Sequence, residues 1–147
     1  MRADLPVLVA LLAEDQLPVA REVVPAAGDD VDPGYLAGFD AIDADPAHDL
    51  VVGVTADGRV VATMQLTTIP GVSYHGGSRL LVEAVRVASD LRGSGIGAAM
   101  MTWAVDRARA KGCRLVQLTS NRERTRAHAF YERLGFEPTH VGFKLHL

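Results

Sequence analysis

Between residues 85 and 98 the chain reads Val-Arg-Val-Ala-Ser-Asp-Leu-Arg-Gly-Ser-Gly-Ile-Gly-Ala, and no other segment restricts the fold as much. An alternating β-branched run ends in three glycines spaced by two, and a helical pattern follows at once. Glycine inside a regular element costs roughly 0.5–1 kcal/mol relative to alanine. Gly93, Gly95 and Gly97 therefore imply a backbone that must turn through positive φ or admit a close neighbour. At a helix start, unpaired N–H groups and the positive end of the dipole favour an anion, phosphate above all. The junction is thus an anion cradle at the end of a strand, which belongs to a fold of the α/β class.

Two nucleotide-binding patterns compete for such a segment. Gly93 to Ala98 also satisfies the dinucleotide pattern G-x-G-x-x-G/A. That reading requires an acidic residue about 20 positions further on, at the end of the next strand, to hold a ribose hydroxyl. Here that strand ends Leu118-Thr119-Ser120-Asn121. Only about fifty residues follow the glycines, too few to complete a doubly wound sheet. The Walker pattern fails because no Gly-Lys-Ser/Thr follows.

Around the junction the periodicities predict α-α-β-β-β-α-β-α-β. Asp4 caps a helix to about Asp15, with Leu5, Leu8, Val9 and Leu12 as its apolar stripe, and a loop runs from Leu17 to Asp30. Asp32-Pro33 opens a second helix to about Asp45, stopped by Pro46. Leu50–Thr55 and Arg59–Ile69 flank Asp57-Gly58 as a hairpin. After a loop over 70–78, Arg79 to Ala88 is a strand with Leu81, Glu83, Val85 and Val87 on one face and Leu80, Val82, Ala84 and Arg86 on the other. Gly95 to Lys111 is the longest helix, buried through Ile96, Met100, Trp103 or Ala104, and Ala108. Cys113–Thr119 is a strand, and Arg122 or Thr125 to Leu134 a helix ended by Gly135, with Ala127, Phe130 and Leu134 on one face. Val141–Leu147 is a closing, alternating strand. With no repeat and no Pro/Gly/Ser-rich linker, residues 1–147 read as a single domain.

Over about residues 50–147 the sequence resembles the GNAT superfamily of acetyl-CoA-dependent N-acetyltransferases. Arg92-Gly93-Ser94-Gly95-Ile96-Gly97 fits that family's R/Q-x-x-G-x-G/A motif, Val85-Arg86-Val87 its fourth strand, and Ala129-Phe130-Tyr131-Glu132-Arg133-Leu134-Gly135-Phe136 its late helix and turn. The resemblance implies an α/β (α+β) single-domain fold, a mixed, mostly antiparallel sheet with splayed central strands flanked by helices. It implies acetyl-CoA as co-substrate, without a metal. The main chain of Val85 and Val87, around Arg86, would bind the pantetheine arm. Arg92 and the amides of Gly93, Ser94, Gly95, Ile96, Gly97 and Ala98 would hold the pyrophosphate. Asn121 would contact pantetheine, and Tyr131 would lie near the cofactor sulfur. One departure stands out: the chain opens at Met1-Arg2-Ala3-Asp4, where the family usually has a first strand, so either the true start lies upstream, or the sheet lacks its edge, or a partner chain covers it. A bare sheet edge favours pairing, so a homodimer is expected.

Acetyl transfer from a thioester to an amine needs a neutral nucleophile, yet an alkyl amine is mostly protonated at neutral pH. Glu83, four residues before Val87, is the candidate base. The alternative is a salt bridge with Arg79 or Arg114. The departing thiolate needs a proton, for which Tyr131 is the candidate acid; a core tyrosine is its alternative. A backbone N–H from Val85–Val87 would steady the oxyanion. The alternative for Asn121 is a turn residue, and His128 is read as one or as a helix-end residue. Tyr74 and His75 either close over substrate or cover core, Trp103 is expected in the core, and Cys113 is read as a small buried hydrophobe.

Charge is distributed unevenly. Residues 1–50 carry eleven Asp and Glu against Arg2 and Arg21, a net −9, while residues 51–147 carry thirteen Lys and Arg against seven acids, a net +6. The acidic part suggests a cationic small molecule, or a protein N-terminus or lysine, as the amine acceptor. No basic cluster interleaved with aromatics points to nucleic acid. The longest apolar run, Leu5 to Ala13, has nine residues and contains Pro6, against roughly 18 for a membrane span. No membrane span is therefore expected. A single cysteine and the lack of a signal-peptide pattern fit the cytoplasm. The expected activity is N-acetyl transfer to a primary amine in a ternary complex. The alternative is an acetyl-CoA-binding regulatory module without turnover.

Overall fold

In the computed structural model of the protein, residues 2–14, 22–26 and 30–147 are described. They form two compact units, 1–117 and 118–147. The first unit carries α1 (Leu5–Ala13), α2 (Pro33–Ala44), β1 (His48–Val54), β2 (Val60–Ile69), the single turn α3 (Ser73–Gly76), β3 (Arg79–Val87) and α4 (Ile96–Ala110), and β4 (Leu115–Leu118) follows. The strands form one sheet in the order β1-β2-β3-β4. The pairs β1/β2 and β2/β3 are antiparallel, and β3 reaches β4 through the helical crossover typical of a parallel pair. A mixed sheet flanked by helices is thus observed.

Local signals in the sequence explain most of these elements. The Asp32 side chain accepts a hydrogen bond from Gly34 N at 2.7 Å and caps α2, with Pro33 in its first turn. Gly58, at φ 90°, closes the β1–β2 turn, in which Thr55 N and Arg59 O are 2.9 Å apart. Asp4 behaves differently: it sits in helical backbone before α1 and makes no side-chain cap there. Arg2–Asp4 is a 3₁₀ turn, not a strand, and among the described residues β1 is an edge of the sheet. The predicted loop over 17–30 falls mostly outside the described residues.

The core lies between sheet and helices. Val61, Ala62, Met64 and Leu66 of β2 and Leu80 and Val82 of β3 are fully buried. From α1 come Leu5, Leu8, Val9 and Leu11, and from α4 Met100, Met101, Ala104 and Ala108. Trp103, expected in the core, is 46% exposed, and Met101 takes the buried place beside Ala104. A polar staple fixes α4 to the sheet: Asp49 of β1 accepts from Arg107 Nη2 at 2.9 Å and Lys111 Nζ at 2.8 Å.

The second unit contains α5 (Thr125–Arg133), closed by Gly135 at φ 88° as the sequence indicates. Leu134 is exposed, so only Ala127 and Phe130 of its expected apolar face are half-buried. The closing strand predicted over 141–147 is not formed. Val141, Phe143, Leu145 and Leu147 alternate in sequence but are exposed and unpaired among the described residues. Alternation creates a face for burial; it does not supply the neighbouring strand.

Candidate functional site

Strand β3 departs from the simple alternation. Glu83 lies opposite Gln65 and Arg86 opposite Thr63, which leaves Ala84 and Val85 together against Met64. Ala84 takes φ 53°, a left-handed conformation that costs an alanine about 1–2 kcal/mol. This is a bulge, and one extra residue reverses every side chain beyond it. The expected facing is therefore corrected: Arg79, Leu81, Glu83 and Arg86 share one face, while Leu80, Val82 and Val87 share the other. The second face is the one under α4, because Asp49 is in register with Leu66, and Leu66 with Val82. Glu83 is exposed on the opposite face and is not grouped with Val85 and Val87. Among the described residues it forms no ion pair with Arg79 or Arg114.

At the bulge and just beyond it, the carbonyls of the two residues whose main chain is expected to meet the pantetheine arm each carry an arginine. Arg86 Nη1 donates to Val85 O at 2.8 Å, and Arg92 Nε donates to Val87 O at 3.3 Å. A carbonyl has a second lone pair, so neither contact closes the strand to a further donor.

The glycine segment follows a 3₁₀ turn, Ser89–Leu91. Ser94 folds back on Leu91 O through both its N–H, at 3.3 Å, and its hydroxyl, at 2.7 Å. That sets Gly93 at φ 84° and Gly95 at φ 92°, conformations that exclude ordinary side chains. Gly95 is the N-cap of α4, and no side chain caps it. The first-turn amides of Ile96, Gly97 and Ala98 therefore lack helical acceptors. A Cβ added at Gly93 or Gly95 would meet nothing within 4 Å, so the space beside each is open. This donor set suits a phosphate-bearing ligand. Sequence reasoning missed Glu14, whose carboxylate accepts from Ser89 N at 2.9 Å and lies 3.6 Å from Arg92 Nη2. It anchors the loop to the end of α1. Glu14 also lines a cavity of about 480 Å³ between α1, Gly58–Val60 and Ala88, which none of the expected site residues line.

Asn121 and Tyr131 belong to the second unit. Asn121 Oδ1 accepts from Glu123 N at 2.9 Å, a turn-forming bond, and its carbonyl lies 2.9 Å from His128 Nε2. Tyr131 is half-buried between Phe130 and Phe136, with ring centroids at 5.1 and 6.0 Å in edge-to-face contact. Cys113 is half-buried and free.

The model of the acetyltransferase (GNAT) family matches residues 12–136. A crystal structure described as a transcriptional regulator from Bacillus halodurans is 36% identical, covers 100% of this chain and 95% of its own, and superposes with a TM-score of 0.92. An acetyltransferase structure from Trypanosoma brucei is 25% identical with a TM-score of 0.78, covering 100% and 95%. The aminoalkylphosphonate N-acetyltransferase of Salmonella typhimurium is 36% identical over 62 residues, 42% of this chain and 40% of that enzyme's length. The matched stretch is therefore well under two thirds of that relative. With the family model spanning most of its length and the fold shared from end to end, the chain belongs to the GNAT family of acetyltransferases.

Proposed function

We propose that residues 1–147 act as one domain that transfers the acetyl group of acetyl-CoA to a primary amine, on a small molecule or a protein. One observation carries this reading: an uncapped helix start preceded by Gly93 and Gly95 at positive φ, placed one 3₁₀ turn after a bulged strand. Acetyl-CoA, when bound, supplies the activated acyl group as a thioester. The amides from Gly93 to Ala98 hold its diphosphate, with Arg92 beside them. The main chain of Val85 to Val87 lines the pantetheine arm, and the bulge at Ala84 frees one residue from the sheet's ladder to do so. Asn121 contacts the same arm. Exposed Glu83 takes the proton of the acceptor ammonium, directly or through water, and Tyr131 gives a proton to the departing thiolate. No metal is needed for these steps.

A second reading, an acetyl-CoA-binding module without turnover, is favoured by the description of the Bacillus halodurans relative as a transcriptional regulator. A thiol-release assay with acetyl-CoA and a library of amines and peptides separates the two. The enzyme reading expects acceptor-dependent release that Tyr131→Phe lowers roughly 10²- to 10⁴-fold with coenzyme binding intact. Tight binding without release from any acceptor would favour the module.

The edge strand β1 also supports a homodimer. Light scattering should give twice the chain mass, and a single-chain mass would contradict it. No described helix is long and apolar enough to cross a membrane, and we place the protein in the cytoplasm.

A further inference from the structure

In the first unit nearly every described cationic side chain is committed. Arg2 pairs with Asp40, Arg59 with Asp90, Arg92 with Glu14, Arg107 and Lys111 with Asp49, and Arg109 with Asp106. Arg86 donates to Val85 O. Arg79 and Arg114 stand apart, since neither forms an ion pair among the described residues. Both lie at one end of the sheet: Arg114 N donates to Ser78 O at 2.8 Å, and Arg79 is the first residue of β3. Nor are they loosely attached. A Cβ at Gly77 would fall 2.2 Å from Arg114 Cγ, and one at Gly71 3.9 Å from Arg79 Nη1. The stem of Arg114 rests on glycine backbone, and the guanidinium of Arg79 lies beside Gly71.

The turn between those glycines is strained. Tyr74 and His75 adopt φ 54° and 57°, followed by Gly76 at 76°. A left-handed conformation costs each non-glycine residue about 1–2 kcal/mol. Both side chains are exposed, so burial does not offset it. Bonds from Gly76 N to Val72 O at 3.0 Å and from Gly77 N to Ser73 O at 3.1 Å hold the turn in shape. Strain kept at an exposed turn points to function, and here it adds an imidazole to the end that holds two unpaired guanidiniums.

We infer that Arg79 and Arg114 hold the anionic group of the acceptor, which is an amine that also carries a phosphate or carboxylate. The inference rests on the acetyl-transfer reading and deepens it. The cradle lies past the Val87 end of β3, so a thioester laid along the strand from there leaves the Arg79 end to the acceptor. Arg79 and Glu83 are on the same face, four residues apart, about 13 Å along the strand. Side chains reaching from both positions leave a short gap, the span of a small acceptor with its amine at Glu83 and its anion at the arginines. Guanidinium forks match phosphate and carboxylate oxygens in pairs.

The test compares 2-aminoethyl phosphate and β-alanine with propylamine in the thiol-release assay, using the wild type, Arg79→Gln and Arg114→Gln. Titration of 2-aminoethyl phosphate alone into the same three proteins reads the anion site without turnover. The expected result is preference for the charged acceptors, with the kcat/KM ratio of 2-aminoethyl phosphate to propylamine falling about 10- to 100-fold in each variant. Binding in the titration weakens in parallel. Equal use of the three amines, or a ratio and a titration that neither variant changes, would overturn the inference while leaving acetyl transfer intact. Binding lost in the variants without release from any amine would support the anion site and count against turnover instead.

Discussion

Ala84 decides how the chemistry-bearing strand presents its side chains. Its positive φ lets two residues of β3 face one of β2, and Arg86 thereby joins the face of Glu83. Nothing in Leu-Leu-Val-Glu-Ala-Val-Arg-Val marks this, because alanine is not a turn residue and the apolar alternation runs straight through it. The glycines were legible for the opposite reason. Only glycine accepts positive φ cheaply, so a conformational demand at 93 and 95 leaves a trace in composition. Ala84→Val should lower stability by about 2 kcal/mol in chemical denaturation, since a β-branched residue resists this conformation. Ala84→Gly should be close to neutral, strain relief being offset by the entropy of a freer unfolded chain. A valine variant as stable as the wild type would contradict the bulge.

Among the elements, those with self-contained signals were read well: α2 from Asp32-Pro33, the hairpin from Asp57-Gly58, α5 from its terminal Gly135. Those that depend on a distant partner were not. Residues 141–147 have a strand's alternation and no strand, and Trp103 has a core residue's chemistry and a surface position. The Asp49 staple between β1 and α4 was equally hidden, because residues 49, 107 and 111 are joined only by the fold. The hydrogen bond from Arg107, with help from Lys111, holds the Asp49 carboxyl below the usual carboxylate range. The folded state thus keeps this group ionised to lower pH than the unfolded chain does. Its contribution is complete above the unfolded pKa of about 3.9 and is lost as pH falls through the lower folded value. Asp49→Asn should cost about 2 kcal/mol at pH 7, and the gap to the wild type should narrow below about pH 4. A gap that stayed constant across that range would show that charge is not what holds α4 here.

For the whole molecule, the division of charge along the sequence proves to be partly internal wiring. Glu14 and Asp49, from the acidic part, bind Arg92, Arg107 and Lys111 from the basic part. Net charges per segment could not reveal which groups would meet, so the cations left over among the described residues of the first unit, Arg79 and Arg114, emerged only from the fold. In the proposed function the loop before α4 receives the diphosphate of coenzyme A. Titration calorimetry of coenzyme A into the wild type and Gly95→Asp tests it most directly, with the thermal midpoint of each protein as a control for folding. The wild type should bind one coenzyme per chain, and a folded Gly95→Asp should bind at least about 100-fold more weakly, because its carboxylate would face the diphosphate at a left-handed position. Equal affinity in the two proteins, or no binding to the wild type, would contradict the account.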